Sequence, residues 1–279
     1  MAPIYWYQDR WLPAEEVRIS PDDRGYYFGD GVYEVFRVYG GALFEADAHL
    51  ARLQASADGI RIRLPHDLET LKSRLEELVR RNGLQEGTVY LQVTRGTAPR
   101  AHLFPPAAEP VTLAYCTEVK RPLAAMQAGC AAVTAEDIRW LHCNYKTLNL
   151  LANVLAKQDA ADRGAADAIL HRGGIVTESS ASNVMIVSDG KLVTHPANNL
   201  ILHGITRAVV LRLAHASAIP VEERPFTLAE LRAADEAFLT GTTIEILPVI
   251  SVDGSPVGAG KPGPVTRQLQ EQFERAILF

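Results

Sequence analysis

The stretch from 168 to 194 constrains the fold more than any other part of the chain. Four apolar, β-branched segments follow one another almost without interruption: Ala168-Ile169-Leu170-His171, Ile175-Val176-Thr177-Glu178, Ser182-Asn183-Val184-Met185-Ile186-Val187 and Lys191-Leu192-Val193-Thr194. Gly173-Gly174 joins the first to the second, and Asp189-Gly190 joins the third to the fourth. Such dipeptides tolerate the left-handed backbone of two-residue hairpins, so the stretch reads as consecutive strands.

The first half mixes strands with two helices. Residues 1–20 alternate apolar and polar, as two short strands joined by a turn. Pro21-Asp22-Asp23-Arg24-Gly25 is a turn, 32–39 is a strand, and Gly40-Gly41 folds it back onto 42–44. Ala48, Leu50, Leu53, Ala57 and Ile60 make the apolar face of a helix; on its surface His49 and Arg52, three apart, are neighbours. A second helix covers 68–81 and stops at Asn82-Gly83. Strands follow at 88–95 and 111–115, with the loop 96–102 between them. The segment 118–124, with Pro122, is the best linker. It divides the chain into a domain over 1–117 and a larger one over 125–279.

In the second half a β-like run at 131–134, continuing as Ile138-Arg139-Trp140-Leu141, leads to Lys146. Leu150, Leu151, Val154, Leu155 and Ala156 then fall at helical spacing, with Asn149 in the N-cap region and Gly164 ending the helix near 163. Beyond the hairpins come a helix over 207–218, strands at 221–224 and 236–240, a last strand through Val249, Ile250 and Val252, and a closing helix over 265–276.

Composition narrows the function by exclusion. The 279 residues carry a net charge of -5, which leaves no electrostatic footprint for nucleic acid or an anionic membrane. The N-terminal residues have no basic segment followed by an apolar run, and no apolar stretch is long enough to span a bilayer. Cys116, Cys130 and Cys143 are odd in number and far apart; they read as free thiols in a reducing cytoplasm. Asp47 and His49 lack a third ligand at metal spacing, so no metal is expected. The Gly29-Asp30-Gly31 stretch lacks the rest of a dinucleotide fingerprint, and no Gly-x-Ser-x-Gly is present.

Three features carry chemistry. Lys146 lies between a β-like run and a helix; in a cleft, loss of solvent would lower its pKa and make its amine nucleophilic toward aldehydes. Taken alone, such a lysine is more often one that snorkels along its stem. Thr177-Glu178-Ser179-Ser180-Ala181-Ser182-Asn183 sets an acid before a run of hydroxyls. Gly204-Ile205-Thr206 opens a helix, where uncapped N–H groups and the dipole favour a phosphate; singly, it reads as an ordinary N-cap. Gly241-Thr242-Thr243 is a second small polar turn. An amine, an acid and phosphate-binding turns together meet the needs of pyridoxal phosphate: its aldehyde, its ring nitrogen and its phosphate.

With those segments, Val32-Tyr33-Glu34-Val35 and the loop Thr94-Arg95-Gly96-Thr97-Ala98-Pro99-Arg100-Ala101-His102, the chain resembles the fold-type IV pyridoxal-phosphate enzymes over nearly its whole length. The Arg100-x-His102 pair points to the D-amino-acid aminotransferase branch. The resemblance implies an α+β, two-domain architecture: a small N-terminal α/β domain and a larger C-terminal domain with a barrel-like sheet. It implies Lys146 as the Schiff-base lysine and Glu178 as partner of the pyridine nitrogen. It implies Arg52, Ile205, Thr206 and Thr242 as phosphate ligands, with Leu202 packed on the cofactor ring. Tyr33, Arg100 and His102 would trap the substrate carboxylate, Arg100 and His102 coming from a partner subunit of a homodimer. Substrates would be a D-amino acid and a 2-oxo acid; the alternatives within the fold type are a branched-chain L-amino-acid aminotransferase, an R-selective amine transaminase and an aminodeoxychorismate lyase. Gly241 stands where such enzymes often have serine, and Ala181 interrupts the usual serine run.

Overall fold

A computed structural model describes residues 2–277, and the chain divides into two compact units. The first runs to Lys120 and takes in Tyr145–Leu150; the second comprises Arg121–Asn144 and the chain from Leu151 onward.

In the first unit the elements are β1 (Ile4–Tyr7), β2 (Arg10–Pro13), α1 (Arg24–Phe28), β3 (Gly31–Tyr39), β4 (Ala42–Leu43), α2 (Ala46–Gly59), α3 (Leu68–Asn82), β5 (Glu86–Thr94) and β6 (Val111–Glu118). The strands form one antiparallel sheet in the order β2-β1-β6-β5-β3-β4. Strand side chains alternate between faces, so Val32, Phe36 and Val38 of β3 point to the same side as Glu34. There they pack with Val89, Leu91 and Val93 of β5 and with Leu50, Leu53, Leu71, Leu75 and Leu78 of the two helices. Glu34 is therefore a carboxylate on the core face of a sheet, fully buried.

The second unit contains α4 (Leu123–Ala128), β7 (Cys130–Glu136), α5 (Leu151–Asp162), β8 (Asp167–Arg172), β9 (Ile175–Ser179), β10 (Asn183–Ser188), β11 (Lys191–Thr194), α6 (Ile205–Ala216), β12 (Val221–Glu223), α7 (Leu228–Ala233), β13 (Glu236–Gly241), β14 (Glu245–Val252), β15 (Ser255–Pro256) and α8 (Pro264–Ile277). Its sheet runs β12-β11-β10-β13-β14-β7-β8-β9, with β15 on β14. The sheet cannot be flat. β9 and β10 lie five strand spacings apart in that order, about 24 Å if laid out in a plane. Only Ser180–Ser182 connect them, a link that spans about 14 Å at full stretch. The sheet must curl until Ser179 N–H donates to the Ser182 carbonyl at 2.7 Å. The barrel-like sheet expected from the resemblance is thus a consequence of strand order and a short turn.

The structure departs from the sequence reading at several points. The β-like run ends with β7 at Glu136, and residues 138–141 lie in no strand. Arg24–Phe28 is a short helix rather than the end of a turn, begun by Asp23, whose side chain accepts from Gly25 N–H. Leu123–Ala128 is helical. Leu228–Ala233 is a helix whose signal was present: Thr227 and Glu230 form a capping box. Finally, Asn149 does not cap α5; the helix starts at Leu151 and the Asn149 amide donates to the Gly29 carbonyl at 3.0 Å.

Leu75 lies with no exposed surface between α3 and the first sheet. Leu75→Ala should cost about 2–5 kcal/mol, as deletion of a fully packed core side chain does. An unfolding midpoint equal to wild type in urea would contradict this packing.

Candidate active site

Lys146 belongs to a six-residue excursion of the chain that joins the first unit. Backbone bonds stitch it along the start of β3. Tyr33 N–H donates to the Lys146 carbonyl at 3.1 Å, Thr147 forms an antiparallel bridge with Val32, and Leu148 N–H donates to the Gly31 carbonyl at 3.1 Å. From the other side Lys146 N–H donates to Ser56 Oγ of α2 at 3.0 Å. Gly59, at the end of α2, makes room for this segment: a Cβ there would lie 2.4 Å from the Tyr145 ring. The lysine backbone is therefore fixed while its side chain stays half-buried, with Nζ 4.2 Å from the centre of the Tyr33 ring.

Beside it lies an ion cluster. Arg52 grips Glu34 with two nitrogens, Nε to Oε1 at 2.7 Å and Nη2 to Oε2 at 2.8 Å. His49 Nδ1 lies 2.8 Å from the same Oε2. Burial alone would push the Glu34 carboxyl up; the Arg52 charge and hydrogen bonds, followed by those of His49, overturn this and hold it well below the carboxylate range. His49 is shifted down, first by burial, against the pull of Glu34. A neutral imidazole facing an ionised carboxylate donates from Nδ1. The expected neighbours His49 and Arg52 do meet, at 3.5 Å, but His49 is buried against β3 rather than on the helix surface.

Arg100 and His102 come together on another ring of the first unit. The Arg100 guanidinium lies 5.1 Å from the Phe28 centroid, and the His102 ring meets Phe28 edge-on at 5.6 Å. Both residues are exposed. The ring contacts of Tyr33, the third expected member of the trap, are with Tyr90 at 5.6 Å and with Lys146.

In the second unit Glu178 sits on β9, buried. Its Oε2 accepts from the Asn183 amide at 2.9 Å and from the Leu202 N–H at 3.0 Å, while Oε1 accepts from Arg139. The Asn183 amide also donates to the Leu202 carbonyl at 2.8 Å. The half-buried Leu202 is thus tied by its backbone to the acid. Arg139 is held in turn by Asp137, through Nε at 2.9 Å and Nη2 at 2.8 Å. Burial pushes the Glu178 carboxyl up, and Arg139 and the Leu202 N–H pull it back only in part, leaving it raised to about 7.

The remaining expected residues cluster at turns. α6 begins with Gly204 as N-cap and no side-chain cap, so nothing from Gly204 covers the N–H groups of its first turn, where Ile205 and the buried Thr206 lie. A Cβ at Gly204 would lie 2.0 Å from Asn183 Oδ1, so the turn is shaped around the residue that holds Glu178. Thr242 is half-buried beyond β13. At Gly241 a Cβ would come 3.2 Å from Ile244 and 3.3 Å from Ser182, closer than most real contacts. Ser179 and Ser182 share a 2.6 Å hydrogen bond across the turn that contains Ala181.

Sequence reasoning missed Arg139, Asp137 and the structural use of Asn183, Glu34 and His49. Arg139 was hidden because its surroundings are inverted: Ile138, Trp140 and Leu141 are exposed while its side chain is 8% exposed. Charge compensation by Asp137 and Glu178 permits this. Among the described residues no group of three or more metal-ligating side chains occurs, and no helix is long and apolar enough to cross a membrane.

The two sheets and their strand order mark a class of amino-group-transferring enzymes. The amino-transferase class IV family model matches residues 31–252, and the chain belongs to that family. It has the two-domain fold-type IV architecture. It is 49% identical to a D-alanine aminotransferase of Listeria innocua over 97% of this chain and 94% of that one. It is 46% identical to a D-alanine aminotransferase of Staphylococcus haemolyticus over 95% of each. Among solved structures, the Escherichia coli branched-chain amino acid aminotransferase superposes with a TM-score of 0.93 at 26% identity, covering 99% and 94% of the two chains. A hypothetical aminotransferase from Mycobacterium tuberculosis, in its PLP-bound form, does so at 0.88 and 25%, covering 99% of each chain.

Because the folded Glu178 value of about 7 lies above the ordinary 4.5, this group contributes stability that is complete below pH 4.5 and lost as pH rises through 7. Glu178→Gln has no proton to lose. The apoprotein variant should therefore gain on wild type by up to about 3 kcal/mol across that interval. Melting temperatures that stay parallel would contradict the assignment.

Proposed function

We propose that the chain transfers an amino group between a D-amino acid and a 2-oxo acid, such as D-alanine and 2-oxoglutarate, with pyridoxal 5'-phosphate as cofactor. The observation that carries this reading is near 50% identity to D-alanine aminotransferases along almost the entire chain. The likeness to the branched-chain enzyme is strong in fold and weaker in sequence.

The residues fit the group. Lys146 offers an amine on a fixed backbone, Glu178 a buried acid, and α6 a helix start left open by Gly204. When bound, pyridoxal phosphate supplies an aldehyde for amines and a ring that takes up the electron pair left as the α-proton departs. Glu178 would partner the ring nitrogen, while Arg139 and Asn183 keep its two oxygens in place. Leu202 would pack on the ring. Arg52, aligned by Glu34, would hold phosphate, as would the N–H groups of Ile205 and Thr206 and the hydroxyl of Thr242. Lys146 Nζ would take the α-proton and deliver it to the cofactor carbon that began as the aldehyde, across the nitrogen from Cα. Tyr33, Arg100 and His102 bind the substrate carboxylate and so decide which face of Cα meets the lysine.

In one chain Arg100 and His102 pack on Phe28 and Tyr33 packs on Tyr90. We infer that Arg100 and His102 act in the site of a second copy, and that the protein is a homodimer. The second unit leaves Ile138, Leu141, Leu151, Val154 and Leu155, all within one short stretch of sequence, at least half exposed, which supports an interface there. The free cysteines fit a cytoplasmic location.

Turnover of D-alanine with 2-oxoglutarate should far exceed that of L-leucine; the reverse preference would move the chain to the branched-chain reading. Lys146→Ala should lose both turnover and the visible absorbance of the bound cofactor, and any retained turnover would remove Lys146 from the chemistry. Arg100→Met should raise KM for D-alanine far more than it lowers kcat.

A further inference from the structure

The loop that presents Arg100 and His102 has no regular secondary structure, yet one buried side chain holds it from beneath. Arg24, 3% exposed, opens α1. Its Nε donates to Asp30 Oδ2 at 2.7 Å. Its Nη1 reaches into the loop and donates to the carbonyls of Ala101 at 2.6 Å and Leu103 at 3.3 Å. Those carbonyls alternate with the two side chains in question: Arg100, Ala101, His102, Leu103. The Arg24 guanidinium also lies 4.9 Å from the centre of the Phe28 ring, the same ring that Arg100 and His102 contact. A second tie secures the start of the loop, where Arg24 N–H donates to the Gly96 carbonyl at 2.9 Å.

Asp30 is the anchor under this arrangement. Arg95 grips it with two nitrogens, Nε to Oδ2 at 2.8 Å and Nη2 to Oδ1 at 2.9 Å. The Arg95 guanidinium stacks 3.6 Å from the Phe104 ring, just past the loop. Asp30 is therefore charge-compensated by Arg95 without Arg24. The two bonds from Nη1 to loop carbonyls satisfy a buried donor of Arg24 and in doing so fix the path of the loop.

We propose that Arg24 is a positioning residue of the substrate-carboxylate trap: by holding the Ala101 and Leu103 carbonyls it fixes the backbone on which Arg100 and His102 stand. This rests on the reading of Arg100 and His102 as carboxylate ligands. Arg24 is almost fully buried, and its side-chain bonds are to Asp30 and to the loop backbone. Its effect is on the order of the trap before substrate arrives. Without it Arg100 and His102 remain in the chain but must be ordered by the substrate, and that cost appears as weaker half-saturation rather than as a slower chemical step.

The test follows the half-reaction of pyridoxal-phosphate-loaded protein with D-alanine by cofactor absorbance, comparing wild type, Arg24→Met, Arg100→Met and the double variant. Arg24→Met should raise the half-saturating D-alanine concentration about tenfold and leave the limiting rate within about threefold. The double variant should fall short of the product of the two single penalties, because with Arg100 already gone the untethered loop displaces only His102. Arg24→Lys keeps a charge beside Asp30 but cannot reach the carboxylate and both carbonyls together; it should shift half-saturation in the same direction by a smaller factor, and it carries the test if Arg24→Met does not fold. An unchanged half-saturation in the folded Arg24 variants overturns the proposal. So does a limiting rate that falls as far as half-saturation rises, or a penalty that multiplies undiminished onto Arg100→Met. If Arg100→Met itself leaves half-saturation unchanged, the carboxylate reading fails, and the role of Arg24 falls with it.

Discussion

The candidate site depends on a backbone interaction before any side-chain chemistry. Residues Tyr145–Leu150 run antiparallel against the start of β3, so that Lys146 and Thr147 are held by the main chain of Gly31, Val32 and Tyr33. A lysine side chain carries about 2 kcal/mol of rotamer freedom, and a reactive amine on a loose loop would spend most of its time elsewhere. Here only the side-chain torsions remain free. The same strand that receives the lysine carries Tyr33 on one face and Glu34 on the other, so β3 positions the amine, a ring beside it and the acid that aligns Arg52.

The two buried acids show how one functional group is put to two uses. Glu34 has a bidentate arginine and a histidine against it, and its charge is secured far below the ordinary range. It is a structural anion whose work is to aim Arg52. Glu178 has an arginine too, but Arg139 is shared with Asp137, and burial wins in part. Its proton affinity comes out near neutrality, where an acid can hold or release a proton to a ring nitrogen. The difference lies in the second acid: Asp137 competes with Glu178 for Arg139, and its own charge pushes the Glu178 proton affinity up.

Local pattern carried most of the fold. Hairpin dipeptides, alternation and the apolar faces of α2 and α3 gave the strands and helices of both units, and the barrel-like sheet follows from the short link between β9 and β10. The short helices α1, α4 and α7 did not emerge, because five or six residues hold too few turns for periodicity to register. Lys146, Glu178 and the turns were legible as single residues whose types suit one cofactor. Their supports were not. Arg139 lies among residues that look like core and are exposed. Arg24 was read as part of a turn, and its bonds to residues 101 and 103 join parts of the chain more than seventy positions apart. No spacing rule reports a contact of that kind.

The most direct measurement is chemical. Borohydride reduction of the pyridoxal-phosphate-loaded protein, followed by proteolysis and mass spectrometry, locates the amine that holds the cofactor. The structure predicts the modification on the peptide containing Lys146 and on no other lysine. A label at another lysine, or none on loaded protein, would contradict it.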